Sequence, residues 1–387
     1  MSSFGINTKV FFGEEKENDL YGFLRHADFK KIKPIIDSAL ADSLTVKKIL
    51  QGFEQQGYDI LEPVYYAAVK EPSYNQLDEF AMKFENDFDL LLAIGGGTTL
   101  DIAKGVSILL KNPGRGIDYR GMHKVNNPPV PLIVYPSTAG TGSEATWTAA
   151  FTDEVEGRKL GINGKNVAPL CGVLEPALIA SCPSSVLLSA GLDAMVHAIE
   201  AVSAKTATLI TITLGAKAFA LLYRYLPLCL KQVTTMDAFE QIQIAAYLAG
   251  IAMMNAGGGP ASGISYPLGV HYSVPHGFAG GVFLPDVFAM NIAKGYMGYN
   301  EVYDLLHDAN LALSPIEKAN DFLKKFNVFY DSIGAPRTVQ RWQCMGKKAI
   351  EHLTALTLEQ RVENLKLNPV LFERDDVVNL LERVCIT

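Results

Sequence analysis

The chain has 387 residues, of which 49% are hydrophobic and 19% are charged, and its formal net charge is −7. This composition is that of a globular protein with ample apolar material for a core, and the acidic balance excludes an electrostatic surface for nucleic acid. The longest uninterrupted apolar runs are shorter than the ~20 residues of a membrane span, and the N-terminus lacks the basic and apolar segments of a signal peptide. The five cysteines are scattered without Cys-x-x-Cys spacing, which is typical of reduced thiols, so we expect a cytoplasmic protein.

The first half of the chain alternates between extended and helical patterns. Extended segments are predicted over residues 32–36, 60–68, 88–94 and 130–135. Helical or amphipathic segments are predicted over residues 44–56, 77–84 and 100–110. This alternation predicts a mostly parallel sheet with helices on its faces.

Beyond Pro183 the pattern becomes helical. Helical periodicity runs through residues 189–204, 213–230 and 237–255 and through the tail from residue 315, with breaks at residues 334–336 and 368–369. Strand patterns are scarce in this part of the sequence. We therefore predict an α/β domain over residues 1–182 and an all-helical domain over residues 183–387.

Three consecutive glycines stand where a buried strand turns into a helix. Gly95, Gly96 and Gly97 would let the backbone approach a pyrophosphate, and the N–H groups at a helix start favour an anion. Thr98 adds a hydroxyl donor, and Asp101 falls in the first helical turn, where an acid suits the helix dipole. A tight turn without any ligand would show the same glycines, so the motif alone leaves both interpretations open.

A second glycine motif, Gly140–Ala145, matches the G-x-G-x-x-A pattern but comes after several βα units. A dinucleotide fingerprint opens the first unit of its domain and is followed by an acid about twenty residues later. We therefore reject this motif as a Rossmann fingerprint. Its neighbourhood still offers the hydroxyls of Thr138, Thr141 and Ser143 to a cofactor.

Asp37 directly follows the extended segment predicted at residues 32–36. An acid at this position would accept hydrogen bonds from ribose hydroxyls and repel a 2′-phosphate, which favours NAD over NADP. An aspartate that caps the following helix is the competing interpretation.

Asp193 and His197 are four residues apart in a helical pattern, so they share one face of the helix. A carboxylate oxygen and an imidazole nitrogen in that arrangement suit a divalent ion. The same spacing also occurs in ordinary hydrogen-bonded Asp–His pairs. A further histidine, His276, follows in a loop-like segment between helices and favours the metal interpretation.

Four segments together resemble the iron-containing, or group III, alcohol dehydrogenase family: Gly95–Lys104, Pro136–Glu144, Gly191–Glu200 and Pro267–Gly277. They occur in the family's order and span most of the chain. The resemblance implies the fold that this family shares with dehydroquinate synthase, with an α/β dinucleotide-binding domain and a helical metal domain. It implies an NAD(P)-dependent alcohol dehydrogenase or aldehyde reductase that uses Fe²⁺ or Zn²⁺, acts on a small alcohol, hydroxy acid or sugar-derived alcohol, and forms a homodimer.

The resemblance also implies roles for individual residues. The cofactor contacts that it implies are Asp37, Gly96, Gly97, Thr98, Thr138, Thr141 and Lys159, to which the helix-start argument adds Asp101. Asp193, His197 and His276 correspond to three metal ligands. Tyr266, where some family members carry a histidine, and the nearby His271 are candidate proton-relay groups.

The position of the family's fourth metal ligand, a histidine, holds Ser262 in this chain. Three interpretations follow: three protein ligands plus water, recruitment of His271 as a ligand, or weak or absent metal binding with proton donors in its place. We favour the first. The alternatives for the whole chain are a metal-independent dehydrogenase of the same fold, a cyclase resembling dehydroquinate synthase, and a cofactor-binding pseudoenzyme.

Overall fold

The computed structural model describes residues 3–68, 71–85, 87–232 and 234–385. Its strands are β1 Lys9–Phe11, β2 Lys31–Asp37, β3 Asp59–Ile60, β4 Val64–Tyr66, β5 Leu90–Gly95, β6 Gly121–Met122, β7 Leu132–Pro136, β8 Thr148–Asp153, β9 Arg158–Asn163 and β10 Cys171–Val173. Its helices are α1 Lys16–Leu24, α2 Leu44–Gln55, α3 Tyr74–Ala81, α4 Gly97–Leu109, α5 Pro176–Ala180, α6 Ser184–Ser203, α7 Leu209–Leu230, α8 Met236–Ala256, α9 Pro260–Tyr272, α10 His276–Gly281, α11 Leu284–Ala293, α12 Asn300–Tyr303, α13 Pro315–Ser332, α14 Gly346–Gln360, α15 Val362–Leu367 and α16 Arg374–Val384.

The larger sheet has the strand order β1-β10-β7-β5-β2-β3, with β4 also paired to β2, and all of its pairings are parallel. Every residue of the central strand β5 is buried, as expected for a parallel strand covered on both faces. The predicted parallel sheet is therefore confirmed. The extended segment predicted at residues 60–68 is divided between the short strands β3 and β4.

The register of this sheet places the carboxyl ends of several strands, and the turns that follow them, at one edge. Ile36 of β2 pairs with Ile94 of β5, and Gly95 at the end of β5 pairs with Pro136 at the end of β7. The carboxyl ends of these parallel strands therefore lie side by side. Ligands of open α/β sheets bind at such an edge.

Apolar clusters cover both faces of the sheet. One includes Leu77 and Val106 from helices α3 and α4, and the other includes Phe53 of α2 with Ile94 of β5. Full burial of one such side chain stabilises the folded chain by about 1.5–3 kcal/mol. The burial of apolar side chains on both faces therefore holds the helices against the sheet.

A second, three-stranded sheet has the order β6-β9-β8, in which β8 and β9 are antiparallel. The patterns in the sequence do not predict this sheet. Strand β9 carries two basic residues and a glycine and has only one buried position, so it lacks the alternation by which a half-buried strand is recognised.

The described chain divides into two compact units. One comprises Ile6–Thr138 with Gly142–Cys182, and the other comprises the chain from Pro183 onward, Ala139–Thr141 and the segment before Ile6. We propose that these units correspond to the domains predicted at residues 1–182 and 183–387.

Helices α6 and α7 of the second unit are long and apolar enough to cross a membrane by length and composition. Most of α6 and half of the apolar window of α7 are buried within the structure, and the two helices pack against each other and against α8. Scattered polar residues interrupt their apolar runs, which is why counting uninterrupted runs did not single them out. Their burial is that of core helices in a helical unit.

Candidate cofactor and metal sites

The glycine turn opens helix α4 at the carboxyl edge of the sheet. Gly96 is the residue before the helix, and no described side chain caps the helix start there. The first N–H groups of a helix have no partner within the helix. Gly96, Gly97 and Thr98 are only half-buried, so these N–H groups offer a partial positive charge that suits an anion.

Two of the glycines pack closely against threonine side chains, and the nearer contact requires the glycine at position 95. A Cβ at Gly95 would lie 2.6 Å from Cβ of Thr99, and a Cβ at Gly96 would lie 3.3 Å from Cγ2 of Thr138. The turn at Gly95 therefore leaves no room for a side chain. Thr138, predicted as a cofactor contact, lies directly against the glycine turn.

Asp37 lies at the end of β2, with its two carboxylate oxygens engaged differently. One accepts a hydrogen bond from the N–H of Ala39 at 3.0 Å, which caps the short 3-10 turn after β2. The other accepts a hydrogen bond from the hydroxyl of Thr99 at 3.3 Å. Asp37 is half-buried, so the capping role does not close the carboxylate to a ribose.

Asp101 uses both carboxylate oxygens within the α/β unit. One accepts a hydrogen bond from the hydroxyl of Ser143 at 2.7 Å, and the other accepts from the N–H of Ala150 at 3.0 Å. These bonds tie helix α4 to the segment around β8. A direct cofactor contact by Asp101 stays a prediction.

Lys104, one turn further along α4, is a buried cation that the sequence analysis did not single out. Its ammonium donates hydrogen bonds to the hydroxyl of Ser143 and the carbonyl of Thr148, each at 2.8 Å. Burial lowers the pKa of Lys104 to about 8, although Asp101 and Glu144 act in the opposite direction. The signal in the sequence was a lysine in a helix whose only other charged residue is Asp101.

Glu144 is the acidic counterpart in this region. Burial raises the pKa of its carboxyl to about 7, and the charge of Lys104 only partly offsets that rise. The other two predicted cofactor contacts lie on different elements. Thr141 is half-buried in the segment after β7, and Lys159 on β9 forms a salt bridge with Glu71 at 2.9 Å.

Asp193, His197 and His276 lie together in the helical unit. Oδ1 of Asp193 is 3.5 Å from Nε2 of His197 and 3.8 Å from Nε2 of His276. One ligand atom from each residue lies within 4.8 Å of the other two. Asp193 and His197 are buried, and Nδ1 of His197 has no hydrogen-bond partner within the part of the chain that the structure describes.

This donor set fits a divalent metal. One carboxylate oxygen and two imidazole nitrogens are the ligands that Fe²⁺ and Zn²⁺ accept, and three protein ligands leave a position for water or substrate. The buried carboxylate and the two imidazole nitrogens that face it would share one ion.

Local packing explains how a distant histidine reaches the pair on α6. His276 is the first residue of α10, directly after Pro275. A Cβ at Gly277 would lie 1.7 Å from the carbonyl oxygen of Ser189 on α6. Only a glycine allows α10 to approach α6 this closely, and that approach brings His276 to Asp193.

Of the two predicted proton-relay residues, Tyr266 contacts a metal-ligand candidate. Its ring centroid lies 5.1 Å from that of His276, and the guanidinium of Arg361 lies 3.8 Å from the Tyr266 ring centre. His271 is exposed, packs edge-on against His352 at 5.0 Å, and is not a member of the three-residue group. Its recruitment as a ligand has no support in this arrangement.

Ser262 lies buried in the first turn of α9. Its N–H donates to Oε1 of Glu200 at 3.2 Å, and its hydroxyl is also hydrogen-bonded to that carboxylate. Burial raises the pKa of Glu200, while the hydrogen bonds from Ser262 and Gly259 oppose the rise. Glu200 was not among the residues predicted from the sequence, although it continues the spacing of Asp193 and His197 by one more turn.

Comparison with known proteins gives matches along both units. A model of the iron-containing alcohol dehydrogenases matches residues 7–176, and a model of the C-terminal part of the Fe-containing alcohol dehydrogenase family matches residues 187–385. The NAD-dependent methanol dehydrogenase of Bacillus methanolicus is 29% identical over 337 residues, which cover 87% of this chain and 88% of that protein. The lactaldehyde reductase of Escherichia coli (strain K12) is 29% identical over 290 residues, covering 74% and 75%.

Solved structures share the fold over nearly the whole chain. The crystal structure of 1,3-propanediol oxidoreductase aligns with a TM-score of 0.90 at 23% identity, covering 99% of both chains. An alcohol dehydrogenase from Oenococcus oeni aligns with a TM-score of 0.89 at 24% identity, again over 99% of both chains. The predicted combination of an α/β part and a helical part is the fold of these proteins.

Proposed function

The chain belongs to the iron-containing alcohol dehydrogenase family, and we propose that it transfers a hydride between NAD and a small alcohol or aldehyde with the help of a divalent metal. It is an oxidoreductase of the alcohol dehydrogenase and aldehyde reductase type. The relatives named above take their names from methanol, lactaldehyde and 1,3-propanediol. A substrate of a few carbon atoms is therefore the proposal for this chain.

The observation that carries the metal-assisted function is the convergence of Asp193, His197 and His276. Two of these residues come from α6 and the third from the start of α10, and their ligand atoms lie within 4.8 Å of one another. Burial of a carboxylate beside two histidines costs free energy unless a cation or donors compensate it. A bound Fe²⁺ or Zn²⁺ would compensate this cost.

The residues of the glycine turn would hold the nicotinamide nucleotide. We propose that the N–H groups of Gly97 and Thr98 bind the pyrophosphate, with the hydroxyl of Thr138 beside Gly96 as a further donor. Asp37 would accept hydrogen bonds from the adenosine ribose and repel a 2′-phosphate, so NAD is preferred to NADP. When bound, the nicotinamide supplies or accepts the hydride.

The helical unit would stabilise charge on the substrate and transfer the proton. Asp193, His197 and His276 would hold the ion, which supplies Lewis-acid stabilisation of charge on the substrate oxygen, an effect of several kcal/mol. The Tyr266 phenol, beside His276, is the candidate to pass a proton between substrate and solvent. Because Ser262 is hydrogen-bonded to Glu200, the proposed metal site has three protein ligands.

Titration with NADH and NADPH, followed by fluorescence and combined with metal analysis, tests the proposal. We expect NADH to bind more tightly than NADPH and the purified protein to hold one Fe²⁺ or Zn²⁺ per chain. Absence of binding of either nucleotide would overturn the dehydrogenase function. A Ser262→His variant measured beside the parent shows whether a fourth ligand raises metal affinity.

A metal-independent dehydrogenase of the same fold is the second candidate. The residue at position 262 favours this candidate. A serine stands there in place of the family's ligand histidine, and it is hydrogen-bonded to Glu200. Full turnover of aldehyde with NADH in a protein that contains no metal would establish this candidate. A cyclase resembling dehydroquinate synthase and a pseudoenzyme both predict no NADH-dependent aldehyde reduction, so the same assay distinguishes them from either dehydrogenase.

We further propose a homodimer in the cytoplasm. The homodimer is the assembly that the family resemblance implies, and the location is consistent with five cysteines that are all buried and unbridged. Light scattering coupled to size-exclusion chromatography measures the assembly, and a monomeric mass would contradict the dimer.

A further inference from the structure

Glu200 is a buried acid on the same face of α6 as two proposed metal ligands. Asp193, His197 and Glu200 follow one another at i, i+4 and i+7, a spacing that keeps them on one stripe of a helix. Glu200 is 3% exposed, yet it does not belong to the group of ligand atoms around Asp193. Its carboxylate is directed to a different element.

That element is the first turn of α9. Oε2 of Glu200 accepts a hydrogen bond from the N–H of Gly259 at 2.7 Å, and Oε1 accepts one from the N–H of Ser262 at 3.2 Å. A buried carboxylate requires such donors, and the N–H groups of a helix start require an acceptor. A Cβ at Gly259 would lie 2.9 Å from Oε1 of Glu200, so the glycine permits this approach.

Helix α9 continues from this anchor to a metal-ligand candidate. Ser262 and Tyr266 are one turn apart and share a face of α9. The Tyr266 ring lies 5.1 Å from the ring of His276, centre to centre. Helix α9 thus joins two contacts, that of Ser262 with Glu200 in its first turn and that of Tyr266 with His276 one turn later.

We propose that Glu200 is a positioning residue of the metal site, which fixes the first turn of α9 and, through Tyr266, the ring of His276 relative to Asp193. It acts through its hydrogen bonds and not as a ligand. This inference rests on the proposed metal-assisted function. Replacement of a residue that orients a metal ligand without binding the metal typically lowers metal affinity by about 10–100-fold.

Co²⁺ binding to the full-length protein tests this role without an activity assay. Glu200→Gln places an amide donor against the N–H groups of Gly259 and Ser262. We expect its affinity for Co²⁺, measured by competition with a chromophoric chelator, to fall by ~10-fold or more. We also expect the visible absorption bands of bound Co²⁺ to change, because they report ligand geometry, while NADH affinity stays at the parent value.

Tyr303→Phe is the matched control for lost stability. The Tyr303 hydroxyl donates to Asp321 and accepts from the N–H of Asn310 in the same helical unit, outside the contacts of Glu200. This variant should lower the melting temperature and leave Co²⁺ affinity and spectrum unchanged. If Glu200→Gln behaves in the same way, Glu200 is only a structural residue and the inference is overturned.

Glu200→Asp decides the question if Glu200→Gln does not fold. It keeps the charge but withdraws the carboxylate from the N–H groups of Gly259 and Ser262, so a weaker affinity for Co²⁺ with a changed spectrum supports the inference, and parent-like binding overturns it. A parent protein that binds NADH but no Co²⁺ would instead contradict the metal part of the proposed function, and the positioning role with it.

Discussion

Individual buried charges in the α/β unit are held by specific partners. Lys104 donates to Ser143 and to the carbonyl of Thr148, whereas burial dominates the environment of Glu144 and raises the pKa of its carboxyl to about 7. A residue whose pKa differs between folded and unfolded chain makes stability depend on pH. Glu144 should therefore make the free energy of unfolding depend measurably on pH.

Glu144→Gln should reduce the pH dependence of the unfolding free energy between about pH 4.5 and 7. The pKa of Glu144 in the folded state, about 7, lies above the ordinary value of 4.5. The folded chain therefore holds this proton more tightly, and the stability that it contributes is present below pH 4.5 and lost as the pH rises through 7. Urea unfolding at closely spaced pH values measures both proteins; identical pH profiles would contradict the assignment.

A second prediction at this scale concerns cofactor choice. Asp37→Asn keeps an oxygen that can cap the 3-10 turn through Ala39 but removes the negative charge. The repulsion of a 2′-phosphate should disappear, so the dissociation constant of NADPH should fall relative to that of NADH. Fluorescence titration of both nucleotides gives the ratio. An unchanged ratio would mean that Asp37 only caps the turn.

At the scale of elements, the metal-ligand candidates depend on how closely two helices approach. Helix α10 contacts α6 through small residues, and the carbonyl of Ser189 lies where a side chain at Gly277 would begin. The distance between His276 and Asp193 is set by this helix contact. Overpacking of such a contact costs typically about 1–3 kcal/mol.

Gly277→Ala should therefore lower the melting temperature and the metal content together. The added methyl group would lie 1.7 Å from the carbonyl oxygen of Ser189, which forces α10 away from α6. Gly280→Ala is the control on the same helix, since its Cβ would meet a Val196 methyl at 3.3 Å and the side chain can adjust. Equal metal content in the two variants would argue against the proposed helix contact as the determinant of the site.

At the scale of the whole molecule, the two constellations belong to different units. The glycine turn lies in the unit that contains β5 and α4, and the metal-ligand candidates lie in the unit that begins at Pro183. The glycine turn and the metal-ligand group each lie within one unit, whereas Thr141, a predicted cofactor contact, belongs to the helical unit. The two functions should therefore respond separately to chemical treatment.

Metal removal by a chelator should abolish turnover and leave NADH binding intact. The expected result is a fluorescence titration with the parent dissociation constant, because the N–H groups of α4 do not depend on the ion. Return of turnover on addition of Fe²⁺ or Zn²⁺ is the matching control. Loss of NADH binding along with the metal would show that the units are coupled.

Local patterns in the sequence were sufficient for the regular architecture. Apolar runs closed by turns predicted β2, β5 and β7, because a strand buried on both faces must be apolar throughout. The i, i+4 spacing of Asp193 and His197 predicted a shared face, because helix geometry is the same in every protein. The strands β8 and β9 escaped this reasoning, because β8 mixes threonines and an aspartate with apolar residues and β9 has only one buried position.

The sequence by itself determined the parallel sheet, the helical second half, the glycine turn and the types of residue available for cofactor and metal. Only the tertiary structure decided which distant residues meet: His276 with Asp193, Ser262 with Glu200, and His271 with His352 instead of the ligand group. The periodicity of a sequence indicates on which face of its own helix or strand a residue lies. Contacts between elements are set by packing, where one glycine such as Gly277 determines how closely two helices approach.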